Sequence, residues 1–169
     1  RDCEDGAISI GDSGPTISNC RFIDNQAIGS GGAVSCSGGS PAFSRCLFES
    51  NQVNGRSGSA DSFGGAVNIS SSVDVTFDRC RFLGNRASAR PGRRSRAWGG
   101  AAHVSRSIGT TFRNCLFAGN SAKTRGGAIY VDHGRVVLYN CTSIGNAAGK
   151  FDGGAEPASP EMRSEVNIV

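Results

Sequence analysis

The chain repeats itself, and this self-similarity constrains its fold more than any local propensity does. A Gly-Gly-Ala element stands at Gly31-Gly32-Ala33, Gly64-Gly65-Ala66, Gly99-Gly100-Ala101, Gly126-Gly127-Ala128 and Gly153-Gly154-Ala155, with a variant at Asp5-Gly6-Ala7. Counting from the first residue of each of the first five copies in chain order, the variant at Asp5 included, a Cys follows after 15 or 16 residues and an Asn five residues later. The pairs are Cys20/Asn25, Cys46/Asn51, Cys80/Asn85, Cys115/Asn120 and Cys141/Asn146. A unit of this length cannot bury an apolar face alone and must stack on its neighbours. Composition fits a thin, turn-rich stack: 25 Gly, one Trp, two Tyr and one Met among 169 residues, 37% of them hydrophobic, leave little for a thick core. Gly does not fall at every third position, so collagen is excluded.

Within each repeat the pattern reads as strands. The fourth residue of the element is Ile8, Val34, Val67, Ala102 or Ile129 and the sixth is Ile10, Cys36, Ile69, Val104 or Val131. Ser9, Ser35, Asn68, His103 and Tyr130 lie between them, which is alternation with an inward apolar side. A second strand places Ile17, Phe43, Phe77, Phe112 and Leu138 inward, three residues before the repeated Cys. That spacing breaks the alternation, so a bend intervenes, and Asn19, Asn114 and Asn140 suit a left-handed residue there. A third, short strand carries the Cys and then Phe22, Phe48, Phe82, Phe117 or Ser143. The fold class expected is all-β, a parallel β-helix of about five coils with three short strands per coil, a rod about 24 Å long at about 4.8 Å per coil.

Two ladders should run along the rod. Asn25, Asn51, Asn85, Asn120 and Asn146 occupy one position per coil, where each amide can bond the one above and below. Cys20, Cys46, Cys80, Cys115 and Cys141 share another. Parallel side chains on adjacent coils hold Cβ atoms at or past the outer edge of disulfide geometry. Reduced, buried thiols acting as small hydrophobes are therefore expected.

Coil length varies at one place, between the Asn and the next Gly pair: 26–30, 52–63, 86–98, 121–125 and 147–152. The two long inserts leave one corner on consecutive coils and must lie side by side. Insertions gathered on one face are where repeat proteins bind. The second insert holds Arg86, Arg90, Arg93, Arg94, Arg96 and Trp98, the first Arg56 and Asp61. Arginine forks suit carboxylate, sulfate or phosphate groups, and Trp is a preferred interface anchor. These eight residues are the candidate partner-binding set. The domain expected is 1–155, with 156–169 an irregular or capping tail. The start at Arg1 without Met reads as a piece of a longer chain.

The Gly-Gly-Ala-Ile/Val element alternates with Phe22-Ile-Asp-Asn25, Phe48-Glu-Ser-Asn51, Phe82-Leu-Gly-Asn85 and Phe117-Ala-Gly-Asn120. In this the chain resembles the polymorphic outer membrane proteins of chlamydiae and related β-helix repeats in surface proteins of other bacteria, algae and protists. Ser143 departs from the motif in the fifth copy. The resemblance spans residues 5 to 155. It implies a right-handed parallel β-helix and, in the chlamydial members, an autotransporter passenger that works as an adhesin. The location it implies is extracellular or on the cell surface.

The enzyme alternative, which β-helix polysaccharide lyases and hydrolases raise by resemblance, has little to stand on. A glycosidase needs two carboxylates at a defined separation, and the outward positions of the first strand carry Ser, Asn, His and Tyr, then Gly11, Ser37, Ser70, Ser105 and Asp132. His103 beside Asp132, with Tyr130 and His133, is the one candidate cluster, and ordinary outward polar residues are the expected reading. No catalytic residue, metal site or cofactor is expected, and the mixed outward positions do not suit ice binding. The net charge of +4 is too diffuse for a nucleic-acid partner, and no stretch reaches the length of a membrane-spanning helix. Asn68-Ile-Ser70 and Asn140-Cys-Thr142 are glycosylation sequons that matter if the chain passes through a eukaryotic secretory route. Two functions follow as expectations. The first is a non-enzymatic adhesion or binding module that meets an acidic protein or glycan surface through the inserts. The alternative is a scaffold subunit of a larger assembly, in an organelle lumen for example.

Overall fold

Each coil turns four corners, and from Asp12 to Gly145 a left-handed residue stands at every one. The computed structural model describes residues 3–55, 61–89, 95–149 and 165–168. The strands after the glycine pairs, Ile8–Gly11, Val34–Ser37, Val67–Ser70, Ala102–Ser105 and Ile129–Asp132, stack in parallel as face 1. Thr16–Ser18, Ala42–Ser44, Thr76–Asp78, Thr110–Arg113 and Arg135–Tyr139 make face 2. Arg21–Ile23, Leu47–Glu49, Arg81–Leu83, Leu116–Ala118 and Thr142–Ile144 make face 3. Register is kept from coil to coil, as in Asn68 opposite His103 opposite Tyr130. The expected parallel β-helix is thus the fold.

A fourth face was not expected. Gln26–Ser30, Gln52–Asn54, Arg86–Ser88, Ser121–Ala122 and Ala147–Ala148 follow the repeated Asn and stack as well, and Cys3–Asp5 adds a strand below them. Each coil therefore carries four strands rather than three. These segments are too short and too varied to show alternation, but the ladder asparagine fixes their start. Of the tail, expected to be irregular or capping, Glu165–Ile168 pairs with Arg135–Tyr139 and extends face 2.

The corners explain the spacing. After face 1 the turning residue is Asp12, Gly38, Ser71, Arg106 or His133, and after face 3 it is Asp24, Ser50, Gly84, Gly119 or Gly145, all at positive φ. Between faces 2 and 3 it is Asn19, Arg45, Arg79, Asn114 or Asn140, with φ between 50° and 55°. The glycine pair closes the coil with two different requirements. Its first member, for example Gly64 at φ 68°, takes the left-handed region. Its second packs against backbone, and a Cβ on Gly65 would run into the carbonyl oxygen of Gly100 and the backbone of Arg86.

Inside, the side chains stack at the coil spacing. Phe22, Phe48, Phe82 and Phe117 form one column with ring centroids 4.7 to 4.9 Å apart. Phe43, Phe77 and Phe112 form a second at 4.7 to 4.8 Å, and the two columns meet edge to face. Offset and T-shaped ring pairs each add about 0.5–1.5 kcal/mol beyond area burial. Ile17 and Leu138 pack against this core from its two ends. Cys46, Cys80 and Cys115 are buried beside it, Cys141 is half-buried and Cys20 exposed, and all five are free thiols. Buried Cys36 is free too, and desolvation pushes its thiol up to about 12.

The five asparagines form one continuous chain of amides. Asn25, Asn51, Asn85 and Asn120 each donate from Nδ2 to Oδ1 of the next, at 2.8 to 2.9 Å. That Oδ1 also accepts the backbone N–H of the Asn below, at 2.9 to 3.1 Å. The second Nδ2 hydrogen of Asn51, Asn85, Asn120 and Asn146 goes to the carbonyl of Phe22, Phe48, Phe82 or Phe117, each at 2.9 Å. Asn85, fully buried, thus has both lone pairs and both hydrogens used.

Candidate functional site

Both inserts are excursions from face 4 that rejoin the stack before the glycine pair. The first returns at Ser62–Phe63 and the second at Ala97–Trp98, and the two return strands pair in parallel, Ser62 with Ala97 and Phe63 with Trp98. The uninserted coil shows where they enter: Ile28 pairs with Asn54 and Ser30 with Phe63, so each insert takes the place of Gly29. Cross-links hold the returns together. The Ser62 N–H donates to Arg96 O at 2.9 Å, the Arg96 N–H to Asp61 Oδ1 at 2.8 Å, and the Ala97 N–H to Thr124 Oγ1 at 2.9 Å. Ser62 and Ala97 point into the small apolar space behind face 4, which sends Phe63 and Trp98 outward.

Outward at this corner means onto face 1. Phe63 and Trp98 lie against His103 with centroids at 4.8 and 6.3 Å, and Trp98 stacks on Tyr130 at 5.6 Å. Tyr130 in turn stacks on His103 at 5.8 Å. His103 is only 4% exposed although its strand position points away from the barrel, because the insert returns cover it. Its Nδ1 meets Asn68 Oδ1 at 2.8 Å, while Nε2 is buried without a hydrogen-bond partner among the described residues. Burial holds the imidazole down at about 4, with Asp132 pulling weakly the other way.

The candidate residues fall into groups. Arg96, Trp98 and Asp61 come together: the Arg96 guanidinium lies 5.8 Å from the Trp98 ring centroid, within cation–π reach, and Asp61 caps the same backbone. Arg86 is exposed on face 4 and turns its Nε to Ser88 Oγ at 2.8 Å. Arg56, Arg90, Arg93 and Arg94 lie outside the described residues. The candidate base pair does not form as such, because His103 Nδ1 is taken by Asn68 and Asp132 by its neighbour His133. Among the described residues no three His, Cys, Asp or Glu converge as a metal site.

Of the two sequon asparagines, Asn68 is buried with its amide oxygen facing His103. Asn140 is exposed at a left-handed corner. Phe63 belongs to the candidate site, though in the sequence it stands out only as the end of a Ser/Gly-rich insert. The signal was present: the position just before the glycine pair is aromatic in both inserted coils, Phe63 and Trp98, but Ser30, Arg125 and Asp152 in the uninserted ones.

No curated protein and no solved structure matches the chain. A family model described as a right-handed β-helix region matches residues 6–155, nearly the whole repeat stack. The chain belongs to the right-handed β-helix family.

Proposed function

We propose that this chain is a non-enzymatic, adhesin-like binding module that meets an acidic protein or glycan surface with the corner built by its two inserts. One observation carries the reading: both long additions return side by side and set Phe63, Trp98 and Tyr130, with Arg96, on one outer surface. Aromatic rings of this kind bury area at low entropic cost, and an arginine among them adds attraction to anions. The paired Gly-Gly-Ala and Phe-x-x-Asn motifs further favour kinship with the chlamydial-type surface passengers, and so a place outside the cell or on its surface. A polysaccharide-active enzyme is the weaker reading, because the His103–Asp132 pair it would use is divided between other partners.

The test is retention on immobilised heparin, a sulfated glycan, compared with a variant in which residues 89–97 are replaced by one glycine on the pattern of Ile28-Gly29-Ser30. Wild-type protein should elute at higher salt than the variant, since exposed charges are screened over about 8 Å at physiological ionic strength. Equal elution would place binding elsewhere on the molecule.

A further inference from the structure

The imidazole of His103 is enclosed on every side that the described residues show. Asn68 lies below it and Tyr130 above it along face 1, and Phe63 and Trp98 cover its outer side. With Asn68 Oδ1 facing Nδ1, the ring proton sits on Nδ1 and the lone pair on Nε2, the atom without a partner. A second proton would therefore create a buried charged N–H with nothing among the described residues to accept it. Such a group requires either an anion or water.

Among the described residues no carboxylate bonds Nε2, although the charge of Asp132 weakly favours the protonated ring. On face 1, Asp132 is hydrogen-bonded to His133. On the insert returns, Asp61 accepts the Arg96 N–H, and Arg96 lies over Trp98. Arg125, paired with Trp98 on the next coil, is a further cation. Water is then the remaining remedy, and the question is which wall yields. The face 1 strands are four residues long and paired on both sides. The insert returns are two residues each, held by short pairings and a few cross-links. Local opening follows the less protected element.

We propose that His103 is an acid-operated latch: protonation of its ring drives Phe63 and Trp98 off face 1 and opens the insert corner while the barrel stays folded. The strongly depressed basicity of the ring agrees with this geometry. A folded-state value near 4 against an ordinary value of about 6.5 means that the closed state binds fewer protons than the open one. The closed corner is therefore fully favoured above about 6.5 and progressively less so as pH falls towards about 4. As regulation of binding, the latch rests on the function proposed above. The opening itself does not, and its test uses no ligand, so the two can fail separately.

Trp98 is the one tryptophan of the chain, and His103 and His133 are its two histidines, so intrinsic fluorescence reports the latch directly. Emission of the full chain should shift reversibly to the red on acidification, with a midpoint between about 4 and about 6.5, while the far-ultraviolet circular dichroism of the sheets is unchanged. The shift should vanish in His103→Gln and persist in His133→Asn. A shift that survives in His103→Gln, or that coincides with loss of the circular dichroism signal, would overturn the latch. Should His103→Gln fail to fold, proton NMR of the wild type decides. A His103 Cε1–H that titrates at the ordinary position of about 6.5 with constant Trp98 emission would also overturn it.

Discussion

At the scale of single residues, the same repeat position can be structural in one coil and costly in another. Asn85 is the clearest structural case, because its amide serves four bonds at once. Asn85→Leu is close in size but strands both donors of Asn51 and the carbonyl of Phe48. With several buried groups orphaned, the loss should lie near the top of the usual range, about 3 kcal/mol by denaturant unfolding. A loss under about 1 kcal/mol would mean that water reaches the ladder. Arg79 is the opposite case. It holds φ 52° where Asn19, Asn114 and Asn140 hold the same corner, and a left-handed backbone costs most L-residues roughly 1–2 kcal/mol while asparagine tolerates it. Its ion pair with Asp78 is long, 3.7 Å, and exposed, and so contributes little. Arg79→Asn should therefore raise stability by about 0.5–1 kcal/mol. A lower unfolding midpoint would show that the arginine makes a stabilising contact which outweighs the corner.

At the scale of elements, what was legible depended on whether the pattern repeated. Faces 1 to 3 carry their inward residue in nearly every coil, from Phe43, Phe77 and Phe112 to Phe48, Phe82 and Phe117, so periodicity alone located them. Face 4 shows no such residue type: Ala27, Val53, Ala87 and Ala122 are small and sit beside Gln, Arg or Ser. The inserts were legible as additions to one corner but not in where they return, because the covering of His103 by Phe63 and Trp98 is a tertiary contact across coils. An outward strand position there becomes an inner one, which no alternation rule anticipates. The uninserted coil nonetheless predicts what shortening does. Replacing 89–97 by one glycine removes the Asp61–Arg96 and Ser62–Arg96 bonds and the two between Ala97 and Thr124, each worth about 1 kcal/mol. The shorter closure returns somewhat under 1 kcal/mol. The barrel should fold with a net loss of about 3 kcal/mol. Failure of the shortened chain to unfold cooperatively would mean that the insert returns are part of the core rather than an attachment to it.

At the scale of the whole molecule, stability is passed from coil to coil, since each unit contacts only its neighbours. Opening should therefore begin in the outer coils of this chain and reach the middle last. The thiol row measures this, because it places one chemically identical probe in every coil. Cys20 is exposed and Cys141 half-buried, whereas Cys46, Cys80 and Cys115 are buried against the phenylalanine columns. Burial also raises the Cys46 and Cys141 thiols above their ordinary range, which slows attack by alkylating reagents further. Under native conditions, labelling followed by mass spectrometry should modify Cys20 first and Cys141 next. Cys46, Cys80 and Cys115 should react only at the rate of global unfolding, and together. Cys80 labelling as fast as Cys20 would contradict the buried row. Two or more disulfides among these five thiols in the unreduced, unfolded protein would show that parallel stacking does not keep them apart.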